Sequence, residues 1–211
     1  VVLVMTGILL FSGAVLFLLF ESGKTMPFGE RILTAFFNSV TARTAGFNTV
    51  ELAALSPASA ALMIILMIIG GAPGSTAGGI KVTTFVTLLA GTLASARQVS
   101  ATNIFKRRIE GDLVRQASAI ATIYFSVVSL GIVSVAAIER IDLSWVTFEV
   151  VSALSNVGVT MGITGSLSVA SKLILCLLMY FGRVGMMSLV IALAAKRENI
   201  PISRPAENLL L

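Results

Sequence analysis

Two stretches of this chain carry no charge and are long enough to cross a bilayer, and they limit the possible folds more than any other feature. Residues 1–20 (VVLVMTGILLFSGAVLFLLF) and residues 116–138 contain no Asp, Glu, Lys or Arg. About 20 such residues in a helix span the ~30 Å hydrocarbon core. Inside hydrocarbon every backbone polar group needs a partner within the protein, so these segments are expected to be helices. The composition agrees: 56% of the 211 residues are hydrophobic and 12% are charged, about half the charge of a soluble domain. A soluble enzyme, a disordered chain and a nucleic-acid binder are excluded as first readings. The net charge of +5 does not restore the last of these, because the basic residues collect in short segments between apolar runs. With Cys176 the single cysteine and no histidine, no internal disulfide can form, and a zinc, haem or iron–sulfur site is disfavoured. The first run has neither the basic start nor the cleavage site of a signal peptide. It reads as a transmembrane helix whose N-terminal context has been cut away.

Between the long runs lie pieces that do not fit single crossings. Residues 32–42 and 150–157 are apolar but too short to span. Residues 57–97 would measure roughly 60 Å as one helix, about twice the hydrocarbon core. That stretch is interrupted by Gly70–Lys81 (GGAPGSTAGGIK). The strongest basic segment, 97–115, holds Arg97, Lys106, Arg107, Arg108 and Arg115 against Glu110 and Asp112, and is expected on the cytoplasmic side. The tail, with Lys196, Arg197 and Arg204, is expected on the same side. Segments 21–56 and 139–166 then face outside. This topology requires that 32–42 and 147–157 enter from outside as short helices and return as extended chain, which membranes tolerate only where protein buries the backbone or it lines a water-filled path.

The chain also matches itself at an offset of 112. Gly46 falls on Gly158, Phe36 on Phe148, Ser56 on Ser168, Ala58-Ser59 on Ala170-Ser171, and Gly70 on Gly182. The order of spanning helix, short helix, glycine turn and second spanning helix occurs twice. The expected organisation is a first repeat over 1–97, a basic cytoplasmic linker over 98–115, a second repeat over 116–195 and a cytoplasmic tail over 196–211. The expected fold class is an all-α membrane protein built from two tandem helix–pore-loop–helix units of potassium-channel type. In such a pore, backbone carbonyls replace the water shell of a cation, and glycine allows successive carbonyls to turn the same way. Four walls are needed, and two are present.

Thr41-Ala42-Arg43 followed by Thr44-Ala45-Gly46-Phe47-Asn48 resembles the third filter segment of the Trk/Ktr/HKT superfamily of potassium transporters. Asn156-Val157-Gly158-Val159-Thr160 resembles the fourth. Gly70–Lys81 resembles the intramembrane loop of these transporters, Phe181-Gly182-Arg183-Val184-Gly185 the Arg-bearing segment of their last helix, and Phe105-Lys106-Arg107-Arg108-Ile109 their cytoplasmic linker. The resemblance implies that the chain holds the third and fourth of four repeats. It implies K⁺ uptake through a carbonyl filter, with Na⁺ coupling, Na⁺ stimulation or Na⁺ as a transported ion left open. The implied K⁺ ligands are the carbonyls of Thr44, Ala45 and Gly46, and of Asn156, Val157 and Gly158. One glycine per segment suggests a shorter filter than that of potassium channels and weaker discrimination against Na⁺.

By the same resemblance, Gly70, Gly71, Gly74, Ser75, Thr76, Gly78, Gly79 and Lys81 form a gate beneath the filter. Arg183 is expected to hold it closed and to oppose cations. A phosphate-binding loop is disfavoured there, because Lys81 is followed by Val82 and not by a hydroxyl; a simple kinked helix stays open. Arg43 is expected to point behind the filter toward Glu149 or Glu51 as a structural residue, and Cys176 toward lipid or neighbouring helices. The acidic residues Glu21, Glu51, Glu139 and Glu149 are expected near the outer helix ends. No cofactor is expected in this chain. The implied partners are the N-terminal repeats, a second copy in a homodimer, and cytoplasmic nucleotide-binding regulatory subunits; no nucleic acid is implied. The implied location is a bacterial inner (plasma) membrane, with the filter facing out. The rival readings are a non-transporting membrane subunit or scaffold and, with less material behind it, an intramembrane enzyme.

Overall fold

A computed structural model of the chain describes residues 1–21, 27–98, 102–104 and 107–185. Lys106 of the linker and the tail with Lys196, Arg197 and Arg204 lie outside them. The elements run α1 (Val2–Phe20), α2 (Phe28–Thr41), α3 (Pro57–Ile68), α4 (Val82–Ala96), β1 (Thr102–Ile104), β2 (Arg107–Ile109), α5 (Gly111–Ile138), α6 (Leu143–Leu154) and α7 (Val169–Val184). The protein is helical, with one antiparallel ribbon of β1 and β2 in the linker, where Thr102 faces Ile109.

Among the described residues, α1 and α5 are the two helices long and apolar enough to cross a membrane. Both are mostly uncovered, with Leu3, Phe11, Leu130 and Val133 exposed, as suits helices whose outer faces meet lipid chains. Helix α5 begins at Gly111, five residues before the uncharged run, and its first turn carries an exposed Asp112–Arg115 pair at 2.6 Å. The 57–97 stretch is broken as its length required: α3 and α4 are separated by residues 69–81.

Helix α1 packs on α2 and α3, α5 packs on α6 and α7, and the contacts of α4 with α5 and of α3 with α6 join the halves. The core sits where these helices meet: Met63 and Met67 of α3, Tyr124 and Val135 of α5, and Val146, Phe148, Val150 and Leu154 of α6 are fully buried. The two short helices differ in cover. Helix α6 is enclosed, whereas α2 leaves Phe28, Leu33 and Phe36 exposed. The matching phenylalanines Phe36 and Phe148 therefore have opposite environments.

The internal repeat is structural as well as sequential. Ser56 and Ser168 are the N-caps of α3 and α7, each accepting from the N–H of a buried serine three residues on, Ser59 or Ser171. Such caps satisfy backbone donors that the first turn leaves open. A carboxylate at the C-terminal end of the preceding long helix accepts from each capping serine's own N–H: Glu21 from Ser56 at 2.9 Å, and Glu139 from Ser168 at 2.8 Å. The hydroxyl and N–H of Ser168, with Ser171, hold the Glu139 carboxyl below the usual carboxylate range. The two carboxylates are 118 residues apart, not 112, so six more residues separate the carboxylate from the turn in the first repeat, half of them in the connection and half in an earlier start of α2.

Candidate functional site

Helices α2 and α6 end at the same kind of turn. Beyond α2, Thr44 (φ +71°) and Gly46 (φ +78°) are left-handed; beyond α6, Asn156 (φ +53°) and Gly158 (φ +88°) are. The positions are related by the offset of 112. A left-handed residue two before a left-handed glycine turns successive carbonyls toward one side of the chain, and it is costly at a residue with a Cβ. Hydroxyls in the short helices fix these segments. Thr41 Oγ1 accepts from Phe47 N at 3.0 Å and donates to the Phe47 carbonyl. Ser152 Oγ donates to the Val159 carbonyl. The C-terminal dipole end of each short helix is thus directed at its extended segment, a favourable field for a cation.

The two segments meet. A Cβ on Gly46 would lie 2.7 Å from the Val157 carbonyl oxygen, and one on Gly158 would lie 3.6 Å from Gly46 Cα. Of the expected ligand residues, Gly46 is therefore brought against Val157 and Gly158, with Thr44, Ala45 and Asn156 next to them in the chain. A cavity of about 380 Å³ adjoins the second segment, lined in part by Asn156, Gly158, Thr160 and Met179.

Residues 69–81 form a loop with a closed neck. Ile69 and Ile80 pair as a parallel bridge; Gly70 N donates to the Ile80 carbonyl (2.8 Å) and Ile80 N to the Ile68 carbonyl (2.9 Å). Gly70 lies so close to the returning strand that a Cβ there would sit 2.0 Å from the Gly78 carbonyl oxygen. Gly78 in turn rests on Ser155, at the end of α6. Gly74 and Gly79 are left-handed, Gly71 packs near Ser75 and Ala77, and Ser75 Oγ donates to the Ala72 carbonyl at 2.6 Å.

Three successive carbonyls of this loop are capped by fixed positive charge. Lys81 Nζ donates to the carbonyls of Ser75 (3.1 Å) and Ala77, and Arg183 Nη1 to that of Thr76 (2.7 Å). A second cavity of about 440 Å³ lies against the loop, lined among others by Lys81, Thr83, Thr84, Thr87 and Gln116.

Arg183 lies in the last turn of α7, exposed, just before Val184 and the left-handed Gly185, and reaches the loop. Two expectations are corrected. Arg43 does not turn to Glu149 or Glu51; its Nη2 donates to the Gly70 carbonyl at 3.2 Å. Glu149 is not at an outer end. It is buried midway along α6 and accepts from Met161 N (3.1 Å), Thr164 Oγ1 (2.8 Å) and Thr160 Oγ1. Those three donors, unrecognised in the sequence reading, make burial of a carboxylate tolerable and fix the chain just beyond Gly158. Cys176 is exposed on α7.

The chain matches the family model described as TrkH, cation transport protein, over residues 2–201. It is 37% identical to the potassium/sodium uptake protein NtpJ of Enterococcus hirae over its whole length, covering 49% of that protein. It is 34% identical to the Ktr system potassium uptake protein B of Vibrio alginolyticus, again over its whole length, covering 47% of that relative. The fold matches the crystal structure of the potassium transporter TrkH from Vibrio parahaemolyticus with a TM-score of 0.74 and 24% identity, over 90% of this chain and 42% of the other. The chain spans about half the length of the curated relatives it matches.

Proposed function

Because this chain belongs to the TrkH family of cation transport proteins, we propose that it supplies two of the four walls of a membrane pathway for K⁺ uptake. The observation that carries this reading is the meeting of two equivalent left-handed segments, Thr44–Gly46 and Asn156–Gly158, at the ends of two short helices. Their carbonyls are the K⁺ ligands. The other walls come from N-terminal repeats of the kind that fills the remaining length of the relatives. The two helix–short helix–helix units, 1–97 and 116–195, are the third- and fourth-type repeats, joined by a cytoplasmic linker over 98–115 and followed by a cytoplasmic tail. The filter faces the outside.

The 70–81 loop is the gate. At rest its carbonyls at 75–77 are neutralised by Lys81 and Arg183, so they offer no ligand to a passing ion, and the same charges oppose cations. No cofactor takes part. The linker docks cytoplasmic nucleotide-binding regulatory subunits; relatives named as parts of a Ktr system fit such a multi-component assembly. The protein acts as a homodimer, and Na⁺ couples to or stimulates uptake.

The test is K⁺ uptake in a bacterium lacking its own K⁺ transporters, using a complete four-repeat protein that carries these residues and a regulatory partner. Growth at sub-millimolar K⁺ is expected. No rescue by a well-expressed protein would turn the reading to a membrane scaffold with a channel-like fold. Arg183→Ala tests the gate. Losing one charge-assisted bond from an exposed guanidinium is worth about 1.5 kcal/mol, so the closed-to-open ratio should fall by roughly tenfold. Maximal uptake should rise; a fall at normal expression would make Arg183 a structural residue instead.

A further inference from the structure

The gating scheme leaves one filter-side cation unused. Arg43 stands between the last residue of α2 and the left-handed Thr44, and its Nη2 bonds the Gly70 carbonyl. Gly70 is the neck of the loop, its own N–H shared between Ile68 and Ile80. The buried Nη1 of Arg43 has no hydrogen-bond partner among the described residues, so the bond to Gly70 is the guanidinium's described hydrogen bond. We propose that Arg43 is a positioning residue that couples the filter to the gate: it ties the backbone of the first filter segment to the hinge of the loop, so that displacement of one is felt at the other. This rests on the filter-and-gate reading above.

The geometry favours a linked unit over two neighbours in chance contact. The second segment reaches the same loop from the other side. Gly78 lies against Ser155, and Asn156 Nδ2 donates to the Met179 carbonyl of α7 (3.1 Å), one turn before Arg183 and its bond to Thr76. The loop is thus held at its neck by one filter segment and near its tip by the helix that braces the other. Among the described residues, the side-chain hydrogen bond to Gly70 comes from Arg43. Arginine suits it, because a guanidinium keeps its charge at any working pH and presents donors in a fixed plane. Thr44 pays conformational strain to be left-handed, so a pull on Arg43 acts where the backbone has least reserve.

The experiment is a double-mutant cycle in the complete four-repeat protein, with K⁺ half-saturation and maximal uptake rate both measured at matched membrane levels. Arg43→Gln should move both: half-saturating K⁺ should rise about tenfold, the size of one charge-assisted bond, and maximal rate should rise several-fold. Arg43→Lys, which retains charge and a donor, should restore both in part. In an Arg183→Ala background, where the gate is already loosened, Arg43→Gln should raise the maximal rate less than about twofold further. Independent, multiplicative effects on maximal rate, or a change in half-saturation alone, would overturn the coupling and leave Arg43 as a filter brace. If Arg43→Gln fails to reach the membrane, Arg43→Lys decides by the same criterion, a shift in both parameters against a shift in one or none. Failure of the parent protein to take up K⁺ strikes the transport reading itself and is seen before the cycle begins.

Discussion

Replacing Gly46 by serine is expected to abolish selective K⁺ uptake, and replacing Gly158 by serine to weaken it about tenfold. Both glycines are left-handed, at φ +78° and +88°, and a Cβ in that region costs roughly 1–2 kcal/mol, about tenfold in an equilibrium. The difference between them is space. A Cβ on Gly46 would sit 2.7 Å from the backbone oxygen of Val157, in the facing segment, whereas the nearest atom to one on Gly158 is Gly46 Cα at 3.6 Å. Serine at 46 therefore displaces a proposed K⁺ ligand of the other wall as well as straining its own. Half-saturating K⁺ and inhibition of uptake by Na⁺ are the readouts. Equal effects at the two positions would mean that the segments do not meet as described. Unchanged K⁺ affinity and Na⁺ exclusion in both variants would remove them from the ion path.

The second large effect concerns assembly of the fold. Gly182→Ala is expected to deplete folded protein from the membrane. A Cβ there would lie 1.9 Å from the Leu154 carbonyl oxygen and 2.5 Å from Asn156 Nδ2. The first is backbone at the end of a buried helix and cannot turn aside, so α7 must shift away from α6. Overpacking of flexible side chains costs about 1–3 kcal/mol, and a backbone overlap of this depth lies at or above the top of that range. Gly165→Ala is the control, with nothing within 4 Å of the added carbon. Size-exclusion profiles of the two variants in detergent should separate them. A monodisperse Gly182→Ala protein at parental yield would show that the α6–α7 contact is looser than described.

How far the sequence could be read depended on what kind of force set each feature. The long helices follow from length and hydropathy, and the break at 70–81 from the impossibility of a 60 Å helix in a 30 Å core. The matches Ser56/Ser168 and Ser59/Ser171 were visible as identities, and the structure gives their reason, since both pairs cap helices. What stayed illegible was long-range and polar. Arg43 finds a backbone carbonyl 27 residues away, and carbonyls leave no mark in a sequence, whereas glutamates do; Glu149 and Glu51 were thus the wrong expected partners. Glu149 itself is matched by Thr160 and Thr164, whose spacing of four was the available signal. The six-residue difference between the repeats escaped because the offset of 112 is carried by the turn and by the helix after it, while the long helices before it hold few distinctive residues.

The paired carboxylates at Glu21 and Glu139 have a mechanical consequence. Each fastens the end of a long helix to the start of the helix that follows the short one, α1 to α3 and α5 to α7, at the end of α3 and α7 remote from the loop. A rod clamped at one end moves by rotation about the clamp, with travel growing along its length. Helices α3 and α7 are clamped at their first residues, and their far ends carry the neck of the loop and Arg183, where Arg43 and the packing of Gly182 on Leu154 hold them. Any tilt that leaves the capping serines in place is largest at the far end, so each carboxylate–serine pair is a fulcrum, and the contacts at the far end set how far the helix can travel.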